Sequence, residues 1–259
     1  MEVVDESIYD HPKYYDLVFG ADCAAELQFI EGCNKRFMKG KARRMFEPAC
    51  GTGRLLFRLA KQGYEVGGLD LNAKAVEFCN ARFAKHGLSA RVTVDDMSDF
   101  RVARKWDLAF NTINSFRHLS SEQAARKHFR AMAGAVRMGG LYLLGVHLRP
   151  TEAMPSETES WSARRGNLAV NTHMWTLERD VPGRVERFGI RFDIHTPLRQ
   201  FRINDVLVLR SYTDRELRRT IRAAGGWEVA ATYDFTYDIA EPIEVDGTCE
   251  DVVYVLRRS

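Results

Sequence analysis

The spacing of hydrophobic positions changes once along this chain. Up to about residue 147, short apolar runs alternate with stripes at i, i+3 and i+4, the period of a helix lying on a sheet. Ala25, Phe29 and Cys33 predict a helix over 22–38, ended by the basic stretch KGKARR. Leu55, Leu56 and Leu59 predict a second, just after Gly53. A third carries Ala75, Val76, Cys79 and Phe83, with Asn72 as its cap and His86-Gly87 as its stop; a fourth carries Ala125, Phe129, Met132 and Val136 behind Ser120 or Ser121. The runs between them predict strands at 43–47, 64–69 (closed by Asp70), 90–94, 106–110 and 141–146, the last introduced by Gly139-Gly140. Strand and helix alternate five times, which predicts a Rossmann-like, doubly wound α/β sheet.

Beyond Leu148 the pattern becomes alternation of single residues, clearest in Phe188, Ile190, Phe192 and Ile194. The stretches 168–177, 185–194 and 199–210, with the turn signal Asp180-Val181-Pro182-Gly183, predict an antiparallel β insertion. Thr213 then caps a helix over 214–224, and strands follow at 227–233 and 251–256. Residues 1–147 and 211–259 are expected to form one domain of seven strands, with 148–210 inserted after the fifth strand as a substrate-binding lid.

Composition adds bounds. The 259 residues are 45% hydrophobic and 28% charged, enough for a sizeable core. A net charge of +3 does not predict nucleic-acid binding, although arginines crowd 161–222. Five scattered cysteines with no C-x-x-C pair argue against a disulfide framework or a zinc site. An acidic start without an apolar h-region, and no apolar run of membrane-spanning length, set the expectation of a cytoplasmic protein with no membrane partner.

The candidate chemistry lies in EPACGTGRLLFRLA, residues 47–60. Gly51 and Gly53 sit where the first strand turns into a helix, the position at which open parallel sheets bind ligands. A dinucleotide fingerprint needs a third glycine where this chain has Leu56, and Glu47 before the turn repels phosphate but suits a cation. Asp70, 17 residues past Gly53, is placed to accept from two ribose hydroxyls. The expected ligand is a nucleoside with a positive charge and no phosphate.

E-P-A-C-G-T-G-R (47–54), G-L-D-L-N (68–72), D-D-M (95–97), F-N-T-I-N-S-F (110–116) and R-M-G-G-L (137–141), in this order, resemble the class I S-adenosylmethionine-dependent methyltransferases. The resemblance covers about 9–148 and returns at S-Y-T-D-R-E-L (211–217); Met138 departs from it, standing where a proline usually precedes the two glycines. It implies that Glu47, Cys50 and Gly51 follow the methionine part of S-adenosyl-L-methionine, with Gly53 supporting the turn. Asp70 would hold the ribose diol, Leu71 would flank the adenine, Asp96 and the Met97 backbone would meet its edge, and Asn111 would lie beside the methionine moiety. Asp95 and Asp99 read as ordinary loop carboxylates.

A narrower resemblance, carried by Y-D-H-P-K-Y-Y-D-L-V-F (9–19), N-S-F-R-H-L (114–119) and the insertion, is to small-molecule N-methyltransferases such as amino-sugar dimethyltransferases and glycine N-methyltransferase. It implies Tyr15 near the sulfonium and His118 at the mouth of the acceptor pocket. His147, at the end of the fifth strand, is a second candidate base. Arg117, Arg149, Trp161 and Arg199 are expected to line the acceptor site and to favour a carboxylate- or phosphate-bearing acceptor. The expected function is methylation of a small molecule, at nitrogen before oxygen, without a metal. The alternatives are an RNA methyltransferase using the arginines of the insertion and a non-catalytic cofactor-binding partner subunit. A homodimer is compatible with all three.

Overall fold

A computed structural model describes residues 1–4 and 6–259. In chain order the strands are β1 (Glu2–Val4), β2 (Arg44–Pro48), β3 (Glu65–Asp70), β4 (Arg91–Val94), β5 (Trp106–Asn111), β6 (Val136–His147), β7 (Thr158–Arg165), β8 (Leu168–Asp180), β9 (Val185–His195), β10 (Gln200–Arg210), β11 (Trp227–Tyr233) and β12 (Asp251–Arg258). The α-helices are α1 (Pro12–Gly20), α2 (Ala24–Phe37), α3 (Arg54–Lys61), α4 (Ala73–Lys85), α5 (Glu122–Ala135) and α6 (Asp214–Ala224).

Seven strands form one sheet in the order β11-β12-β6-β5-β2-β3-β4, parallel from β6 to β4, with β12 antiparallel to β6 and β11 to β12. Side chains alternate between its faces. Met45, Leu108, Phe110, Leu141 and Leu143 pack under α2, α3 and α4, while Phe46, Ala109, Tyr142 and Leu144 pack under α5 and α6. Strand order reverses between β2 and β5, so a crevice opens beyond their carboxyl ends.

The second sheet, β1-β10-β9-β8-β7, is antiparallel except for β1, which runs parallel to β10. Phe192, Ile194, Val170 and Ile203 on its inner face meet Leu17 and Val18 of α1. That helix closes the space between the sheets.

Four differences from the sequence reading have physical causes. Residues 8–20 hold a short 3-10 turn and α1, announced by Pro12 at its first turn; the buried Asp16 interrupts the apolar pattern that reveals helices. In α2 the buried face runs through Glu26 rather than the exposed Ala25, because Glu26 is paired with Arg54. Val136 opens β6 instead of ending α5, and the strand continues through the glycine pair with a register shift. Gly140 is required there: a Cβ would lie 2.5 Å from the Asp107 carbonyl oxygen. Finally, β7 has six exposed residues out of eight, so it lacks alternation.

Candidate functional site

A cavity of about 860 Å³ lies between the two sheets, running from the glycine turn to the inner wall of β7–β10. Of the residues singled out from sequence, Gly51, Asp70, Leu71, Asp96, Met97, Tyr15, His118 and His147 line it; Glu47, Cys50, Gly53 and Asn111 do not.

The turn is held by Asp70, whose Oδ2 accepts from the Gly51 N–H at 2.7 Å and whose Oδ1 accepts from the Asn72 N–H at 2.8 Å. Burial pushes its carboxyl up, and these two backbone donors pull it back down. A carboxylate has about four acceptor positions, so two remain for hydroxyls in the cavity. Gly51 adopts φ +53° with the Tyr15 ring 3.3 Å from where a Cβ would sit. Gly53, at φ +68°, leaves room for Cys79, whose sulfur would be 2.4 Å from an added Cβ. Its role is to let α3 lie against α4. The Cys50 thiol is buried, which raises its pKa well above the usual range.

Glu47, next to last in β2, and Asn111, last in β5, lie at the reversal point, and both are buried. Asn111 donates to the Pro48 carbonyl at 2.8 Å. Among the described residues, Glu47 Oε2 and Asn111 Oδ1 have no hydrogen-bond partner. Burial raises the Glu47 carboxyl well above the usual carboxylate range. Two orphaned acceptors at this point fit a cationic donor such as an ammonium.

The loop after β4 carries Asp95, Asp96 and Met97, and all three line the cavity. His128 fixes this loop: its Nδ1 lies 2.8 Å from the Met97 carbonyl and its Nε2 2.9 Å from the Tyr142 hydroxyl. Burial lowers its pKa to about 4, so the ring is neutral at neutral pH.

On the opposite side, Tyr9, Tyr15, Phe19 and Trp161 form a row, with ring centroids 5.5, 4.6 and 6.1 Å apart in succession. Burial raises the Tyr15 phenol above its ordinary value, so it stays protonated. His118 reaches the cavity, with Nε2 3.3 Å from the Tyr9 hydroxyl. Burial away from water, then the Arg117 charge, lower its pKa, while Asp70 opposes them. His147 is held between carboxylates, Nδ1 to Asp251 at 2.9 Å and Nε2 to Glu250 at 3.4 Å. Its backbone N–H donates to Asn114 Oδ1 at 2.9 Å, and Asn114 is itself in the left-handed region at φ 58°.

The arginine expectation needs correction. Arg117 and Trp161 line the cavity; Arg149 and Arg199 do not. Arg199 instead pairs with Glu2 at 2.9 Å and stacks on Phe201. Arg117 is buried against Glu186, so its charge is compensated. Sequence reasoning missed Tyr9, Phe19 and Glu186 as wall residues. The tyrosine-rich start was a usable signal for Tyr9, but nothing local marks Glu186, whose partner is 69 residues away.

Residues 46–140 match the family model described as a methyltransferase domain. A Geobacillus protein described as a candidate methyltransferase is 27% identical over 135 residues, 52% of this chain and 55% of that protein, so the chain matches about half of this relative's length. The dTDP-3-amino-3,4,6-trideoxy-alpha-D-glucopyranose N,N-dimethyltransferase of Streptomyces venezuelae is 24% identical over 220 residues, 83% of this chain and 90% of that enzyme. Among solved structures, an S-adenosylmethionine-dependent methyltransferase from Clostridium acetobutylicum superposes with a TM-score of 0.77 at 18% identity, covering 97% of this chain and 99% of that one. The glycine turn and the reversal point after β2 fall inside the residues that match a methyltransferase domain, and the whole chain shares the Rossmann-like α/β fold of the Clostridium structure.

Proposed function

We propose that this chain methylates the nitrogen of a small-molecule amine held between the glycine turn and the β7–β10 wall. The observation that carries the reading is one continuous cleft bounded at one end by Gly51 and Asp70 and at the other by Trp161 and Phe188. Its volume of about 860 Å³ is in the range that holds a cofactor-sized ligand together with a small acceptor. The similarity to an amino-sugar N,N-dimethyltransferase supports nitrogen as the acceptor atom.

Bound S-adenosylmethionine supplies an electrophilic methyl group on a sulfonium. Asp70 would accept from the ribose hydroxyls, and Leu71, Asp96 and Met97 would flank the base. Glu47 and Asn111, buried just behind the cavity lining, would set a polar floor under the methionine end, and Cys50 and Gly53 shape the turn beneath. The aromatic row would set π faces beside a sulfonium held at the turn, an arrangement that excludes water and favours a cation. Neutral His118 can take the proton released by the attacking amine, and Tyr9, within hydrogen-bond range, orients the ring. His147, already facing two carboxylates, holds the rim near Asp251. Residues 148–210 act as the lid over the acceptor.

The arginines of 161–222 support a small acceptor over RNA. Arg179, Arg184, Arg202, Arg210 and Arg218 each lie within 4 Å of a carboxylate rather than forming a bare basic stripe. Two of the measurements that test the proposal use titration calorimetry and a tritiated-methyl assay against amine and phenol pools. Asp70→Ala is expected to weaken both S-adenosylmethionine and S-adenosylhomocysteine by about tenfold or more. His118→Ala is expected to lower kcat by about 10² to 10⁴ with cofactor affinity retained. Labelled phenols with unlabelled amines would overturn the choice of nitrogen.

A further inference from the structure

The acceptor half of the cavity has a composition that the methyl-transfer reading does not require. Its wall is formed by Trp161, Met174, Phe188, Ile190, Leu207 and Leu209, all apolar. The arginines that reach it are already committed. Arg117 places Nη2 on Glu186 and donates from Nε to the Arg210 carbonyl at 2.9 Å. Arg179 donates from Nε to Glu186 at 3.3 Å, from Nη1 to Glu157 at 3.0 Å, and from Nη2 to the Ser156 carbonyl at 2.7 Å. Glu186 is 4% exposed and Arg117 1%, so their pairing is buried and one partner cannot leave without stranding the other's charge. With Glu157 and Glu186, Glu159 makes a third carboxylate on this part of the lining, against two guanidinium groups. Among the described residues, no further arginine and no lysine lines the cavity.

We infer that the acceptor is an amine carried on an apolar scaffold and free of phosphate, an inference that rests on the proposed methyl transfer and narrows its substrate class. A phosphate or diphosphate group needs uncommitted cationic donors, and this wall offers guanidinium groups whose charge is cancelled in place. An apolar amine meets what is present: hydrocarbon for its scaffold, and excess carboxylate for the ammonium form that arrives from water. Glu186 is the specificity-determining residue in this arrangement, because it alone neutralises both Arg117 and Arg179 from the buried side.

The test uses the full chain saturated with S-adenosylhomocysteine, titrated calorimetrically with tryptamine, phenethylamine and related apolar amines, and separately with thymidine diphosphate. If S-adenosylhomocysteine itself does not bind, the methyl-transfer reading fails first and is distinguished by that titration. With it bound, at least one apolar amine is expected to bind about tenfold or more tightly than thymidine diphosphate. Glu186→Gln, which uncovers the Arg117 charge and leaves Arg179 paired with Glu157 alone, is expected to gain about tenfold in thymidine diphosphate affinity and to lose affinity for the amine. Glu157→Gln, at an exposed rim position, is expected to shift the two affinities in the same directions by a smaller factor. Thymidine diphosphate binding to the wild type as tightly as the best amine, or no binding by any apolar amine, overturns the inference.

Discussion

The two sheets build their share of the cavity from different materials. On the glycine-turn side the working groups are backbone donors, strand-end acceptors and one carboxylate, all within 47–118 and bonded to one another across the carboxyl ends of β2, β3 and β5. On the acceptor side they are side chains of β7–β10 whose partners come from distant elements, such as Arg117 with Glu186 and Asp16 with Arg165. A cofactor of constant shape can be met by a rigid turn. An acceptor is met by a wall of alternating side chains, which can change composition without changing its strands.

The largest test of this contrast is stability. In the cofactor half, Arg54 is buried in a bidentate pair with Glu26 at 2.5 and 2.6 Å, and Thr112 also donates to Glu26. Glu26→Gln leaves the guanidinium uncompensated, and a loss of about 3–5 kcal/mol in urea unfolding is expected. In the other sheet the exposed Arg199–Glu2 pair is expected to contribute under about 1 kcal/mol, so Arg199→Ala should be nearly silent. Equal losses would show that the two halves are not built differently.

A second test turns on pH. His128 has its pKa lowered from 6.5 to about 4 in the folded protein, so between those values the unfolded chain binds more protons. Stability is therefore complete above about pH 6.5 and falls as pH drops toward 4, by about 3 kcal/mol from this group alone. His128→Gln is expected to flatten that acid limb in unfolding titrations. Because His128 bonds the Met97 carbonyl, the same variant should weaken S-adenosylhomocysteine binding, whereas substitutions in β7–β10 should not.

The same contrast explains what was legible in the sequence. The doubly wound sheet could be read because its strands are apolar on both faces and its helices carry stripes such as Leu55, Leu56 and Leu59. The glycine turn and Asp70 could be read because their chemistry is local. Residues 8–20 were opaque because the inward position is Asp16, which accepts from Thr52 at 2.9 Å and pairs with Arg82 at 2.5 Å; a buried acid imitates a surface one in sequence. Strand β7 was opaque because an edge strand exposed on both faces has no period. The arginine-lined pocket was misjudged for a related reason: sequence shows the arginines but not the glutamates folded against them.

Within the wall, Trp161→Ala is expected to raise the KM for an amine acceptor by about tenfold, corresponding to 1–2 kcal/mol of lost contact, with the affinity for S-adenosylhomocysteine unchanged. A parallel loss of cofactor affinity would mean that the aromatic row serves the sulfonium end, and that the boundary between the two halves lies one residue further into the insertion.

The smallest expected effect falls at the junction itself. Tyr9 stands between the halves: its carbonyl accepts from Asn72 at 3.1 Å on the cofactor side, and its hydroxyl lies 3.3 Å from His118 on the acceptor side. Tyr9→Phe removes only the second link, since the backbone bond to Asn72 needs no side chain. Loss of one such hydrogen bond costs about 0.5–1.5 kcal/mol, so kcat should fall by a factor of about 2 to 10. Burial keeps the Tyr9 phenol protonated, so the hydroxyl can donate to the His118 ring nitrogen and favour its neutral form. Without that donor His118 is protonated more easily, and the acid limb of the kcat profile should move to higher pH. A fall in kcat with an unmoved acid limb would make Tyr9 a packing residue, and the two sheets would then meet at His118 without a polar link.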